Sequence, residues 1–244
     1  MQLSVRKRTS HGLSLLASYN LSSSHGDTDT AFEDLYYAGP LQDVYNLQLE
    51  RHTISDFDQT HIVKGYALYE LPFGRGKPFA SNSGPALNGF VSGWTISGDF
   101  HYATGTPVRI PANVYYPGIN NVYSDIVPGC NLHVNNSAQV NGTYFNPACF
   151  VNPPNGEFGD APGYLADLRN PGLAVEDLGV SKAQRFGERC SVHLYFQMFN
   201  VFNRHAFMGP DTQIGTTGFG KILPQDLNGT PGPRVGQLGA RLSF

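Results

Sequence analysis

Nine consecutive residues, Trp94-Thr95-Ile96-Ser97-Gly98-Asp99-Phe100-His101-Tyr102, alternate without a break between two chemistries. Successive side chains on a β-strand point to opposite sides. This run therefore sets Trp94, Ile96, Phe100 and Tyr102 on one face and Thr95, Ser97, Asp99 and His101 on the other. It is longer than the usual globular strand of about five or six residues, and it reaches the roughly nine to eleven needed to cross a hydrocarbon layer at a tilt. Its aromatic residues sit near the two ends, where membrane interfaces favour them. Ribbons of this kind either stack their apolar faces in a sandwich or turn them toward lipid.

The same period recurs. Residues 13–21 place Leu13, Leu15, Ala17, Tyr19 and Leu21 opposite Ser14, Ser18 and Asn20, with Leu16 as the one exception. Residues 3–8, 61–71, 174–182, 190–201 and 234–244 carry further alternating segments, which predicts seven strands. The connections between them run about four, forty, fifteen to eighteen, seventy, seven and thirty residues, short and long by turns. Transmembrane β-barrels have this rhythm, with tight periplasmic turns and long extracellular loops. Compact soluble domains rarely carry three structureless loops of such length. The expected fold is all-β: an antiparallel up-and-down meander of about seven strands, an open part of a transmembrane barrel, with residues 1–244 forming one such part. The competing architecture is a soluble sandwich, which would bury Ile96, Phe100, Phe196 and Leu242 in one dry interior.

Composition narrows the function. Charged residues are only 14% of the chain and the net charge is −3, which argues against a nucleic-acid partner. Gly 28, Pro 17 and 12% aromatics favour strands and loops over helices. No apolar run is long enough for a spanning helix. Serines interrupt the apolar stretch after Arg6-Lys7-Arg8 and no small-residue cleavage site follows, so an export address is expected upstream of Met1.

The polar faces gather Ser97, Asp99, His101, Asp177, His193, Gln197 and Arg241, expected to line a lumen. The opposite faces carry Trp94, Ile96, Phe100, Leu194, Phe196, Leu238 and Leu242, expected to meet lipid. No motif of a zinc protease, a serine hydrolase or a phosphate loop occurs, since Gly74-Arg75-Gly76-Lys77 lacks the first glycine and the final hydroxyl of the last. No catalytic residue, metal site or cofactor is therefore expected, and the chain reads as a non-enzyme. The acidic run Asp27, Asp29, Glu33, Asp34 and Asp43 lacks the spacing of a calcium loop. Cys130 and Cys149 share the longest connection and either bridge there or remain two free thiols, whereas Cys190 begins a strand at the other end of the sheet.

Several phrases carry a resemblance along the whole chain. They are Lys7-Arg8 with Ser10-His11-Gly12-Leu13, Ala17-Ser18-Tyr19, Ser55-Asp56-Phe57-Asp58 with His61, and Tyr69-Glu70-Leu71-Pro72-Phe73-Gly74. Gly93-Trp94, Thr104-Gly105-Thr106-Pro107, Phe145-Asn146, Phe158-Gly159, Asn170-Pro171-Gly172, Phe199-Asn200-Val201-Phe202-Asn203 and Arg241-Leu242-Ser243-Phe244 follow. With these the chain resembles the C-terminal barrel portion of TonB-dependent outer-membrane receptors of the Oar-like group. The resemblance implies a place in the final strands of a 22-stranded barrel. Its implied partners are the remaining strands and plug of the full receptor, outer-membrane lipid, the barrel-assembly machinery reading terminal Phe244, and TonB through an N-terminal part. No plug or TonB box is recognisable in these residues. Substrate uptake is thus expected of the complete receptor. A barrel that only anchors surface loops, and a soluble sugar-binding sandwich, are the competing classes.

Overall fold

A computed structural model describes residues 1–26, 42–43, 45, 53–118, 122–134, 139–187, 190–223 and 232–244. Seven long strands follow the alternating segments: β1 (Gln2–Ser10), β2 (Leu13–Leu21), β3 (His61–Glu70), β4 (Trp94–Ala103), β5 (Leu173–Phe186), β6 (Cys190–Phe199) and β7 (Val235–Ser243). They form one sheet in strict chain order, each antiparallel to the next. β1 and β2 meet in a two-residue turn whose central residues His11 and Gly12 both have positive φ, 52° and 80°. That geometry matches the right-handed twist of the strands it joins.

Most strand ends fall within one or two residues of the sequence reading, and three differences have a visible cause. β5 runs on past Lys182 to Phe186, because Ala183 to Phe186 pair with Cys190 to His193 in a hairpin that outreaches β4. β6 stops at Phe199, where Asn200 takes a positive φ of 49° and turns the chain. The connection between β3 and β4 holds a short helix, α1 (Pro85–Val91), begun by a proline that fits the first helical turn.

Register fixes the faces, since directly paired residues share a side. Phe196 pairs with Val180, Val180 with Ile96, Ile96 with Tyr69 and Tyr69 with Leu13. These rows make one apolar face that also holds Trp94, Phe100, Leu194, Leu238 and Leu242. Gly65 in it is covered by a neighbouring ring: a Cβ there would come within 2.9 Å of the Phe100 ring and 2.7 Å of the Leu16 carbonyl. Neither face of the sheet is roofed by a second layer. Across the seven strands only Ala103, Glu176 and Gly179 are buried. Ile96 and Phe100 are half-buried, while Phe196 and Leu242 keep 39% and 60% of their surface. The dry interior of a sandwich is not there.

The buried core lies elsewhere. Val108, Ile110, Phe145, Cys149, Phe150, Leu165 and Leu168 pack together in the connection between β4 and β5. Where they are described, the long connections are thus not structureless, in contrast to the expectation from sequence. Paired dipeptides (His25–Gly26 with Thr53–Ile54, Asp125–Ile126 with Phe150–Val151) and a pairing of Pro107–Val108 with Leu165–Arg169 give them local sheets. All gather at one end of the sheet into a folded cap.

Candidate functional site

The polar face brings the seven expected lumen residues onto one side. Asp99 stands directly opposite Asp177 on one neighbour and Tyr66 on the other. Two residues along, His101 faces Lys64. Ser97 sits opposite Gly179, Gln197 beside Gln237, and His193 beside Arg241. The Gln237 amide donates to the Gln197 carbonyl. Asp177 is held by the backbone N–H of Asn200, 2.8 Å from its carboxylate. Ser18, Lys64, Tyr66, Asp99 and His101 line a shallow concavity of about 350 Å³. Leu16, Gly65 and Phe100 complete its lining, so charges of both signs and hydroxyls meet there over a largely apolar floor.

The apolar face has polar ends. At the cap end, Tyr19 stacks beside His61 and its hydroxyl lies 2.8 Å from the ring Nδ1. Tyr102 donates to Glu176 at 2.6 Å, and the Arg204 guanidinium grips the same carboxylate at 2.8 and 3.0 Å. Glu176 interrupts the apolar side of β5 and is buried under these partners. The sequence reading passed over it, although period two puts Glu176 in line with Leu178 and Val180. At the other end, Lys182 Nζ donates to the carbonyls of Phe90 and Ser92 and lies over the Trp94 ring at 5.1 Å.

Within the cap, loops distant in sequence are bolted by buried polar groups. Asp58, with its side chain 1% exposed, accepts from Ser24 N at 2.6 Å and from Arg169 Nη1 at 2.8 Å. Gln42 donates to the Gly159 carbonyl and accepts from Tyr123 N. Tyr144 donates to the Arg169 carbonyl at 2.7 Å, and burial pushes its phenol above the ordinary range. None of these pairings has a motif that reveals it, because each joins segments far apart in the chain. Tyr115 is exposed and Tyr116 stacks on Phe158 at 4.4 Å. Tyr123, in the same connection, is by contrast buried, under the Arg109 guanidinium. Its backbone pairs with Pro111, which draws the ring inward.

Cys130 and Cys149 are joined in a disulfide across 19 residues. Loop closure of that size is worth about 3 kcal/mol. The C130S/C149S double variant should loosen the cap by that amount while the strands keep their protection in hydrogen exchange. Alkylation without reductant should label Cys190 alone. Label on Cys130 or Cys149 as well would show the bridge does not form.

Among the described residues no cluster of three or more His, Cys, Asp or Glu could hold a metal ion. Asp27, Asp29, Glu33 and Asp34 lie outside the described residues, and the Asp43 carboxylate accepts from Tyr45 N. The terminal Phe244 is 98% exposed. Comparison with curated proteins and with solved structures yields no match. The family model for the outer membrane beta barrel domain matches residues 1–237. A two-faced meander of long antiparallel strands, with no buried interior between its faces, is the wall such a domain requires, and the chain belongs to this family of outer-membrane β-barrel proteins.

Proposed function

We propose that the chain forms barrel wall and extracellular loops of a TonB-dependent, Oar-like receptor that takes up a substrate across the outer membrane. The observation that carries this reading is the division of labour in the sheet. Its apolar face suits lipid, its polar face offers Asp99, His101, Lys64 and Asp177 to a lumen, and its long connections gather at one end. β1 and β7 have no further partner among the described residues. In lipid each unpaired backbone group costs several kcal/mol, so those edges call for more strands. The remaining strands and the plug of a full receptor supply such partners. Plug contacts fall on the polar face, at Asp99, His101, Gln197 and Arg241. Phe244, with apolar residues at alternate positions before it, serves the barrel-assembly machinery as its recognition signal. The role is transport rather than catalysis, and it uses no cofactor.

A second reading is a surface anchor without active transport. It draws support from the cap, whose core and disulfide make a stable outer platform. Association with TonB separates the two. The intact protein in outer-membrane preparations should cross-link to the periplasmic domain of TonB, and substrate binding should strengthen the cross-link. An intact protein that never contacts TonB is an anchor.

A further inference from the structure

The connection from Leu71 to Gly93 contains Arg75 and Lys77 and no acidic residue. It is a folded unit rather than a plain turn. The Phe73 and Phe79 rings meet at 5.6 Å, and Arg75 N donates to the Asn88 side chain at 2.7 Å, which ties this stretch to α1. A Cβ on Gly74 would come within 2.6 Å of the Ser92 side chain, so only glycine lets the turn approach the helix this closely. The far end of α1 is fastened to the apolar face of the sheet. Both Trp94 Nε1 and Lys182 Nζ donate to the Phe90 carbonyl, at 2.8 and 3.1 Å.

So fastened, the unit exposes its apolar side chains. Leu87 and Phe90, three residues apart on one side of α1, keep 55% and 72% of their surface, and Phe79 keeps 57%. Arg75 and Lys77 are exposed, and Arg75 Nε donates to the Ser83 carbonyl at 3.3 Å, just ahead of α1. Lys77 reaches Glu70 only at 3.5 Å with both groups about half exposed, a pair of little strength. Exposed aromatic and aliphatic side chains flanked by exposed cations, here with only one weak ion pair between them and the protein, are the makeup of an interfacial membrane element.

We propose that this unit is a rim anchor that seats Leu87, Phe90 and Phe79 at the acyl boundary of the periplasmic leaflet and holds anionic phospholipid headgroups with Arg75 and Lys77. The proposal rests on the reading above that the apolar face meets lipid and that the short connections are periplasmic. Continuity argues for lipid as the occupant, because Trp94 and Lys182 belong to that same face. Charge argues for anionic lipid, because the connection is purely basic.

The test uses the intact protein carrying Cys190→Ser, reconstituted in phosphatidylcholine vesicles with or without phosphatidylglycerol. Nitroxide labels replace Phe90 (F90C) and, as a strand reference, Leu194 (L194C). Both labels should be accessible to oxygen and shielded from aqueous nickel. Spin-labelled phosphatidylglycerol should associate in preference to phosphatidylcholine by about fivefold for each basic residue engaged. R75E/K77E should abolish that preference, and the milder R75Q/K77Q should do the same without reversing charge. A label in lipid at position 194 but in water at position 90 overturns the anchor and leaves the reading of the strands standing. Labels in water at both positions overturn the two together. Equal association of both headgroups with the unsubstituted protein overturns the role given to Arg75 and Lys77.

Discussion

Arginine in place of Leu178 should destabilise the intact protein in bilayers by about 2–4 kcal/mol, the cost of a charge on the lipid face near mid-depth. Leu178 stands opposite Gly98 in the middle of β4 and opposite Met198 on β6, and it keeps 41% of its surface. The neighbouring β6 residue Gln197 points to the other face, where its amide only bonds exposed Gln237. Gln197→Arg should therefore cost less than about 1 kcal/mol, within the range of ordinary surface substitutions. Urea unfolding in lipid vesicles reads both. A larger loss for Gln197→Arg than for Leu178→Arg would mean that the faces are reversed, and with them every expectation for Asp99, His101, His193 and Arg241.

The second large effect belongs to the cap. Asp58→Ala removes a carboxylate that is almost wholly buried, leaves the Ser24 N–H without its acceptor, and strips Arg169 of its counter-charge, so that only the main-chain carbonyls of Asp58, Gly105 and Ala166 still hold the guanidinium. Breaking a buried pair from one side costs about 3–5 kcal/mol, and the partial exposure of Arg169 places this case toward the lower end. The loss should appear as faster hydrogen exchange and proteolysis across residues 104–172, with β2 to β6 unaffected. Asp58→Asn keeps an acceptor oxygen for one of the two donors and should recover part of the loss. Unchanged cap protection in Asp58→Ala would mean that Arg169 does not hold the loops together.

These two sites differ in how plainly the sequence announces them. The strands were legible because period two is a local property. Ile96 and Ser97 declare opposite faces through their immediate neighbours, and the same rule carried across all seven segments. It failed at residues 183–186, where Ala183, Gln184 and Arg185 break the apolar pattern but backbone pairing with β6 continues regardless. It also passed over α1, which is too short for a helical period to stand out. Register was not legible, since nothing local tells Asp99 that it will face Asp177. The cap was the least legible part. Val108, Tyr123, Phe145 and Leu168 follow no period and are buried only because distant loops close over them. Asp58 lay within a recognised phrase, Ser55-Asp56-Phe57-Asp58, yet its partner Arg169 is 111 residues away.

With seven antiparallel strands, β1 and β7 point the same way. Two identical copies set side by side about an axis along the membrane normal would therefore join by a parallel seam, with slanted and slightly weaker hydrogen bonds. A cylinder that is antiparallel all the way round needs an odd number of added strands from elsewhere. Homodimerisation is thus the poorer route to a sealed wall, and a complement of different sequence the better one.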